Sequence, residues 1–276
     1  MNQKPLVTVL ITAYNTKQAY LNQTVNSALK QDYNNLEVLV VDDGSEPKLN
    51  TFLDLNNPKL RYQYIEHKGL PHALIQGMEI AKGEYVAVLD HDDVLKPGSI
   101  KARAEKLKET NIGFVHGDVE LIDEQGKVYA THRYNPLPER SDFINNVLSG
   151  AIMQFKHTAV MFRKNAVFSV GNYNPNMPRE FDIDLIIRVA HKYGCQHIPE
   201  ILLRYRTHSH NTSGCFNYRV SAIKYHWKVI DNHVNKKSQR IKHKAKSALV
   251  YFGKGVYETF WSKRPETLLN LLKKVK

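Results

Sequence analysis

The sequence has few cysteines and no long apolar run. Cys195 and Cys215 are its only cysteines and do not form a C-x-x-C pair, which argues against a disulfide framework and favours a reducing compartment. No stretch approaches the roughly 20 apolar residues of a membrane span. The first ten residues hold no apolar h-region, so we expect no signal peptide. We expect a cytoplasmic protein, with peripheral association at the inner face of the membrane as a further expectation.

The positive charge is confined to one end of the chain. The 276 residues carry a net charge of +12, yet the first 218 are balanced, with 24 basic and 24 acidic side chains. Residues 219–276 hold 15 lysines and arginines against three acidic residues. This division predicts a neutral domain over 1–218, which does the chemistry, and a basic helical extension over 219–276.

Buried strands alternate with helices in the first hundred residues. Apolar, β-branched runs predict the strands, and apolar residues at helical spacing predict the helices between them. This order predicts an α/β fold with a mostly parallel sheet, whose ligands bind at the carboxyl ends of the strands. No G-x-G-x-x-G follows the first strand, which disfavours a dinucleotide-binding oxidoreductase. The predicted strands are Val7–Thr12, Leu36–Val41, Arg61–Ile65, Tyr85–Leu89, Gly113–Val115, Val119–Ile122 and Ile198–Tyr205.

A dense group of carboxylates follows the strand at Tyr85–Leu89. The stretch Asp90-His91-Asp92-Asp93 places three carboxylates within four residues. Unaided, these aspartates would repel a phosphate by roughly 4 kcal/mol per pair at ~4 Å in an effective dielectric of about 20. One interpretation is a turn that caps a helix. The other is a site for a hard divalent cation, completed by the oxygens of a diphosphate.

Three stretches, taken in order, resemble the nucleotide-binding strands of family-2 glycosyltransferases. They are Val7-Thr-Val-Leu-Ile-Thr-Ala-Tyr-Asn15, Val38-Leu-Val-Val-Asp-Asp-Gly-Ser45 and the segment from Ala81 to Pro97 that contains the aspartates. The resemblance implies a GT-A fold, with about 1–110 binding the nucleotide sugar and about 111–218 holding the acceptor and the catalytic base. It also implies sugar transfer from a nucleoside diphosphate, UDP above all and dTDP or GDP next, with inversion at the anomeric carbon.

The resemblance assigns residues around the base and ribose of the donor. Thr12 and Tyr14 are similar to the residues that line this pocket, with Tyr14 stacked on the base. The simpler interpretation of Tyr14 is a packing aromatic. Asp43 resembles the residue that hydrogen-bonds the imide of the base, and Asp90 the one that meets the ribose.

The resemblance also assigns residues around the diphosphate. Asp90-His91-Asp92 is similar to the family's D-x-D, which implies that His91 lies at the donor and that Asp92 binds Mn²⁺ or Mg²⁺. An arginine that the family often carries is absent, because the chain reads Ala73-Leu-Ile75 at that place. Lys68 and His72 are the candidate substitutes, although Lys68 is also explained as a solvated surface lysine.

The candidate base lies further along the chain. Phe181-Asp-Ile-Asp-Leu-Ile-Ile-Arg188 is similar to the family's Glu-Asp-x-Asp-Leu-x-x-Arg, which puts Asp182 at the base. An acceptor hydroxyl needs such a base because it is a poor nucleophile until its proton is accepted. Phe181 replaces the family's glutamate, and Glu180 stands one position earlier, so Glu180 is a second candidate. Asp182 also suits a helix N-cap.

Two features near the carboxyl end remain. Tyr205-Arg-Thr-His208 resembles a family segment whose histidine reaches the metal or the diphosphate, which makes His208 a candidate ligand beside the alternative of a surface histidine. The basic extension suits helices packed with a solvated basic face, contact with an anionic membrane, or a lipid-linked glycan acceptor. A nucleic-acid-binding protein and a catalytically silent nucleotide-sugar module are the competing hypotheses for the whole chain.

Overall fold

The computed structural model describes residues 4–109, 111–137, 139–150, 155–208 and 216–260. For 216–220 and 254–260 it describes the backbone alone. The chain divides into two compact units. The first unit comprises Met1–Arg140 and Met153–Thr207, and the second comprises Ser141–Ile152 and His208–Lys276. This division takes a short segment near residue 150 out of the first unit and ends that unit about ten residues before the predicted boundary at 218.

The described elements alternate through most of the chain. The strands are β1 (Val7–Ala13), β2 (Leu36–Asp42), β3 (Leu60–Tyr64), β4 (Tyr85–Asp90), β5 (Val94–Leu95), β6 (Ile112–Ile122), β7 (Val128–His132), β8 (Met161–Arg163) and β9 (Gly194–Arg206). The α-helices are α1 (Gln18–Leu29), α2 (Leu70–Ile80), α3 (Ser99–Lys106), α4 (Arg140–Leu148), α5 (Lys164–Phe168), α6 (Phe181–Lys192), α7 (Phe216–His233) and α8 (Lys237–Phe260). Short 3₁₀ turns cover Leu49–Phe52 and His157–Ala159.

The first four strands form the parallel half of the sheet, as predicted. Their order is β3-β2-β1-β4, and β1 pairs in parallel with both β2 and β4. Every residue of β1 and β2 is buried, which explains why their sequences are mainly apolar rather than alternating. Helices α1 and α2 connect the strands in βαβ order, as parallel pairing requires.

The rest of the sheet is mixed. β8 runs antiparallel to β4 and β6, β9 runs parallel to β6, and β5 runs antiparallel to β9. The prediction of two strands at Gly113–Val115 and Val119–Ile122 was wrong, because β6 is continuous. Gly117 is not a break: a Cβ there would lie 2.5 Å from Leu202 Cδ1, so the glycine permits close packing against β9. The register between β6 and β9 shifts at this place instead.

The second unit is helical in its described part, in line with the expected helical extension. Within it, His226 Nε2 lies 3.0 Å from the Leu148 carbonyl oxygen, and Trp227 Nε1 donates to Ser247 Oγ at 3.2 Å. Residues 261–276 of the extension lie outside the described residues. Among the helices that the structure describes, none is both long and apolar enough to cross a bilayer.

Candidate active site

The carboxyl ends of β1, β2 and β4 meet at one edge of the sheet. The register pairs Thr12 with Asp90 and Ala13 with Asp42, so the polar residues that follow these strands are neighbours. Thr12 is buried, and its hydroxyl oxygen has no hydrogen-bond partner in the part of the chain that the structure describes. A buried, unsatisfied hydroxyl is costly, and it suits a place where a ligand supplies the partner.

Asp43 joins the end of β2 to the start of α2. Its carboxylate accepts hydrogen bonds from the backbone N–H groups of Lys68 and Gly69, each at 3.0 Å, and lies 2.9 Å from His67 Nδ1. The Lys68 ammonium points elsewhere and pairs with Glu66 at 2.9 Å. Asp43 therefore holds the loop before α2, with three of its four lone-pair positions in use. The roles of Asp43 at the base and of Lys68 at the diphosphate stay predictions.

Tyr14 stacks on a histidine that the sequence did not single out. The rings of Tyr14 and His67 lie 4.0 Å apart with an interplanar angle of 17°, and Tyr14 is 44% exposed. Because Asp43 holds His67 through Nδ1, the stack is anchored to the same loop. One face of Tyr14 is thus covered by the protein, and its predicted stacking on a base concerns the other face.

The turn after β4 gathers charge in a poorly solvated place. Burial, together with the charges of Asp92 and Asp182, raises the pKa of Asp90 to about 7, while Lys156 acts in the opposite direction. Burial and the charges of Asp92 and Asp90 also raise the pKa of Asp93 well above its usual value. Asp182 therefore acts on Asp90 from 92 positions along the chain. The structure brings the predicted base to the predicted metal turn.

Hydroxyl groups from two elements fix the backbone of this turn. Thr24 Oγ in α1 lies 2.9 Å from the His91 carbonyl oxygen and 2.8 Å from that of Asp93. Thr158 Oγ accepts the Asp90 N–H at 3.0 Å. The His91 ring is held through Nδ1, 2.8 Å from Thr16 Oγ. The turn is therefore a rigid part of the edge, and the donor contact of His91 stays a prediction.

Arg206, at the end of β9, braces the same turn. Its backbone N–H donates to Asp93 Oδ1 and its Nε donates to the Asp92 carbonyl oxygen, both at 2.8 Å. Its remaining guanidinium groups donate to Gln23 Oε1 and to the carbonyls at 123 and 124. The guanidinium is fully buried. The Tyr205-Arg-Thr-His208 stretch held a signal for this residue, but only His208 was selected from it.

Asp182 lies inside the first turn of α6. The helix begins at Phe181 and its N-cap is Glu180, whose φ is +58° and whose side chain makes no capping hydrogen bond. The alternative of Asp182 as the N-cap was therefore wrong. Asp184 is neutralised by Arg188, with Oδ2 and Nη2 2.7 Å apart. Asp182 and Glu180 remain the two candidate bases, and Asp182 is the one whose charge acts on Asp90.

An aromatic wall stands beside Asp182. Tyr173 Oη lies 2.8 Å from His157 Nε2, and the Phe181 ring lies 6.1 Å from the rings of both. Burial lowers the pKa of His157 to about 4, so its imidazole is neutral. Burial and the charges of Asp182 and Asp90 raise the pKa of Tyr173. His157 and Tyr173 carry no motif signal in the sequence, because only the long-range fold brings them together.

The donor set fits a divalent cation that a substrate helps to hold. In the described ranges, no group of three or more His, Cys, Asp or Glu side chains is arranged to hold an ion. Mg²⁺ and similar hard ions are commonly bound by one or two carboxylates with substrate phosphates supplying further ligands. The half-buried Asp90 and the buried Asp92 match that pattern in chemistry and charge. His208 belongs to the second unit, and its role as a ligand stays a prediction.

Comparisons with known proteins agree with this fold. An uncharacterised glycosyltransferase of Rickettsia conorii is 30% identical over 217 residues, which are 75% of this chain and 35% of that protein. The chondroitin synthase of Escherichia coli is 26% identical over 217 residues, covering 77% of this chain and 30% of that protein. The chain thus spans about a third of the length of these relatives.

Solved structures share the GT-A architecture, which confirms the predicted fold class. Staphylococcus aureus TarS 1–349 in complex with UDP-GlcNAc matches with a TM-score of 0.64 at 15% identity, covering 94% of this chain and 76% of that one. A mannosyltransferase of Pyrobaculum calidifontis in complex with GDP-Man and Mn²⁺ matches with a TM-score of 0.63 at 17% identity, covering 93% and 74%. The model of "Glycosyl transferase family 2" matches residues 8–171. The chain belongs to glycosyltransferase family 2.

Proposed function

We propose that the chain is a metal-dependent, inverting glycosyltransferase. It moves a sugar from a nucleoside-diphosphate donor, UDP-linked above all, to a hydroxyl of a glycan, polysaccharide or lipid-linked acceptor. One observation carries the proposal: Asp90, Asp92 and Asp182 share one poorly solvated place at the carboxyl edge of the sheet. Such a concentration of carboxylates calls for a cation, and the cation in turn attracts a diphosphate.

The donor end of the site is assigned to the β1, β2 and β4 edge. The buried Thr12 hydroxyl would hydrogen-bond the donor, and the ring face of Tyr14 that His67 does not cover would stack on the base. Asp92 would hold Mn²⁺ or Mg²⁺, which when bound stabilises negative charge on the departing diphosphate, and Asp90 would contact the ribose. Lys156 acts electrostatically on Asp90 and adds a positive charge near this place. Two structures with the same architecture hold UDP-GlcNAc or GDP-Man, which supports a sugar nucleotide as the donor.

Asp182 is assigned the role of the base. Its carboxylate accepts the proton of the acceptor hydroxyl as that oxygen attacks the anomeric carbon from the face opposite the diphosphate. The neutral His157 and the Tyr173 hydroxyl beside it form a wall that limits water around the carboxylate. Relatives named chondroitin synthase and hyaluronan synthase support a growing polysaccharide as one class of acceptor.

The competing proposal is a catalytically silent module that binds a nucleotide sugar. Its support is Phe181, which stands where the family's pattern has a glutamate. Phe181 is buried and packs in the aromatic wall with Tyr173 and His157, so its presence is explained by packing. It leaves Asp182 in the assigned position, which favours the enzyme.

A thermal-shift screen of UDP-, GDP- and dTDP-sugars, with and without Mn²⁺, tests the donor and the metal together. At 100 times its dissociation constant a donor stabilises the fold by about 2.7 kcal/mol, a shift of several degrees. We expect one donor class to give this shift only with Mn²⁺, and the wild-type chain to release nucleoside diphosphate from it slowly. Stabilisation without any turnover would favour the silent module, and no stabilisation by any donor would overturn both.

A further inference from the structure

Helix α8 carries an exposed apolar stripe. Ile241, Leu249 and Phe252 are 61%, 74% and 68% exposed. Their spacings of eight and three residues put them on one face of a helix. Large apolar side chains that are this exposed and lie together mark a surface that meets another partner.

Packing inside the second unit fixes which face of α8 carries the stripe. Ser247 and Tyr251 lie on the opposite face and are buried. The Ser247 hydroxyl accepts from Trp227 Nε1, and the Tyr251 ring lies 5.4 Å from the ring of His226, both in α7. Because α7 anchors that side, the stripe points away from the helices that hold α8.

Lysines border the stripe, and part of the positive charge of α8 is uncompensated. The helix holds six lysines and arginines against one glutamate. Arg240 and Lys244 face Asp231 of α7, at 4.0 Å and 2.6 Å. Lys242 and Lys246 are exposed beside the stripe, and no acidic partner for them occurs within the described ranges. They are available for an anionic surface.

Charge complementarity selects one partner for this surface. A second copy of the helix would bring like charges together, and so would residues 261–276, which carry five basic residues against one acidic. The phosphates of a nucleic acid could pair with the lysines, but they would not bury the apolar side chains of Ile241, Leu249 and Phe252. An anionic bilayer matches both parts, since its head groups meet the lysines and its acyl boundary accepts the apolar side chains.

We propose that α8 lies flat on an anionic lipid surface through Ile241, Leu249 and Phe252, with Lys242 and Lys246 against the head groups. The inference is independent of the sugar and of the metal, because it uses the second unit alone. Binding through α8 would bring the chain to a surface where lipid-linked acceptors are found.

Vesicle sedimentation of the full chain tests this proposal. We expect binding to vesicles of phosphatidylcholine with 30% phosphatidylglycerol, little binding to pure phosphatidylcholine, and weaker binding as salt increases, because exposed charges are screened. Leu249→Asp with Phe252→Asp should remove binding to the anionic vesicles. The control Leu55→Asp changes a side chain that is 46% exposed in the first unit and should bind as the wild type does.

A charge-reversal pair tests the lysines. Lys242→Glu with Lys246→Glu should weaken binding to anionic vesicles by about 25-fold or more, since each lysine near an anionic surface contributes about fivefold. The control Lys101→Glu with Lys108→Glu reverses two exposed lysines of the first unit and should leave binding unchanged. Donor turnover in solution should be the same in all four variants, which separates this proposal from the proposed function.

Three results would overturn the proposal. One is equal binding to neutral and anionic vesicles, or to neither. Another is a dimer in analytical ultracentrifugation that Leu249→Asp dissociates, because the stripe would then face a second copy. The third is tight binding of duplex RNA that the apolar changes leave intact while vesicle binding is absent. In that case the lysines would serve nucleic acid.

Discussion

Two acidic turns stand at the same edge of the sheet, and the protein treats them differently. In the turn after β2, Asp42 accepts the N–H groups of Ser45 and Leu49 at 2.9 Å and the Tyr62 hydroxyl at 2.6 Å. Asp43 is equally well supplied by the loop before α2. Donors of the protein itself stabilise both carboxylates, and one lone-pair position of Asp43 is left for a ligand.

The turn after β4 is the opposite case. Thr24 and the Arg206 guanidinium hold its backbone, while Asp90 and Asp92 repel each other and Asp182 adds to the repulsion. Burial, together with the charges of the neighbouring aspartates, raises the pKa values of Asp90 and Asp93, so their ionised forms are unfavourable in this turn. A rigid backbone that gathers mutually repelling carboxylates is an arrangement that a divalent cation would neutralise.

The sharpest way to break the comparison is to delete one carboxylate from each turn. Asp92→Ala should abolish Mn²⁺-dependent binding of the donor nucleotide while leaving the free energy of unfolding unchanged or higher, because it removes repulsion. Asp42→Ala should instead lower the free energy of unfolding by about 3 kcal/mol, because two buried donors and one half-buried donor lose their acceptor. Titration calorimetry of UDP with and without Mn²⁺, together with urea unfolding, measures both effects.

Asp32→Ala is the matched control, since Asp32 is an exposed aspartate in the loop before β2. It should change neither nucleotide binding nor stability. Normal UDP affinity of Asp92→Ala in Mn²⁺ would remove the metal from this turn and with it the contrast between the two turns.

The second-largest expected effect is the loss of turnover when Asp182 of α6 is changed. Asp182→Asn should lower kcat by about 10²–10⁴ while donor binding persists, because the amide cannot accept a proton but occupies the same space. Release of nucleoside diphosphate under saturating donor measures it. Glu180→Gln is the control and should keep near-normal turnover. The reverse pattern, with Glu180→Gln inactive and Asp182→Asn active, would transfer the role of base to Glu180.

The parallel half of the fold could be predicted from sequence because its strands are buried on both faces. β1, β2 and β4 are mainly apolar, and their ends differ from the prediction by one residue. The other half could not be predicted as well. β5 and β8 have two and three residues, too short for any periodicity, and they exist because neighbouring strands offer them an edge.

The site divides in a similar way. Asp90, Asp92 and Asp182 were selected from motifs, because the residue type alone makes a carboxylate a candidate metal ligand or base. His67, His157 and Arg206 were not, because each acts through partners at least 16 positions away along the chain. Their importance depends on which elements the fold brings together, and a single sequence does not contain that pairing.

Arg206 gives the third prediction, which asks whether the rigidity of the turn matters to the ion. Arg206→Gln should weaken Mn²⁺ affinity in the presence of UDP by about 10–100-fold, the usual cost of losing a group that orients a metal ligand. Saturating Mn²⁺ should restore kcat, which a merely unfolded variant would not show. Arg204→Gln, two residues earlier on β9, loses a half-buried ion pair with Glu120 that does not touch the turn, and is the control. Equal Mn²⁺ affinities in the two variants would mean that the turn needs no brace.

The smallest expected effect is on the pH dependence of stability without metal. The pKa of Asp90 is about 7 in the folded chain and near 4 when unfolded, so between these values the folded state binds more protons. Stability should therefore fall as pH rises from about 4 to 7, and Mn²⁺ with UDP should offset the loss above pH 7. Melting temperatures in EDTA from pH 5 to 8 measure this loss. Asp90→Asn should reduce the fall in melting temperature over that range by a few degrees. Asp93 contributes to the pH dependence with the same sign. The control Asp32→Asn should leave the pH dependence of the melting temperature unchanged. If Asp90→Asn showed the same pH dependence as the wild type, Asp90 would not have a raised pKa in the folded chain.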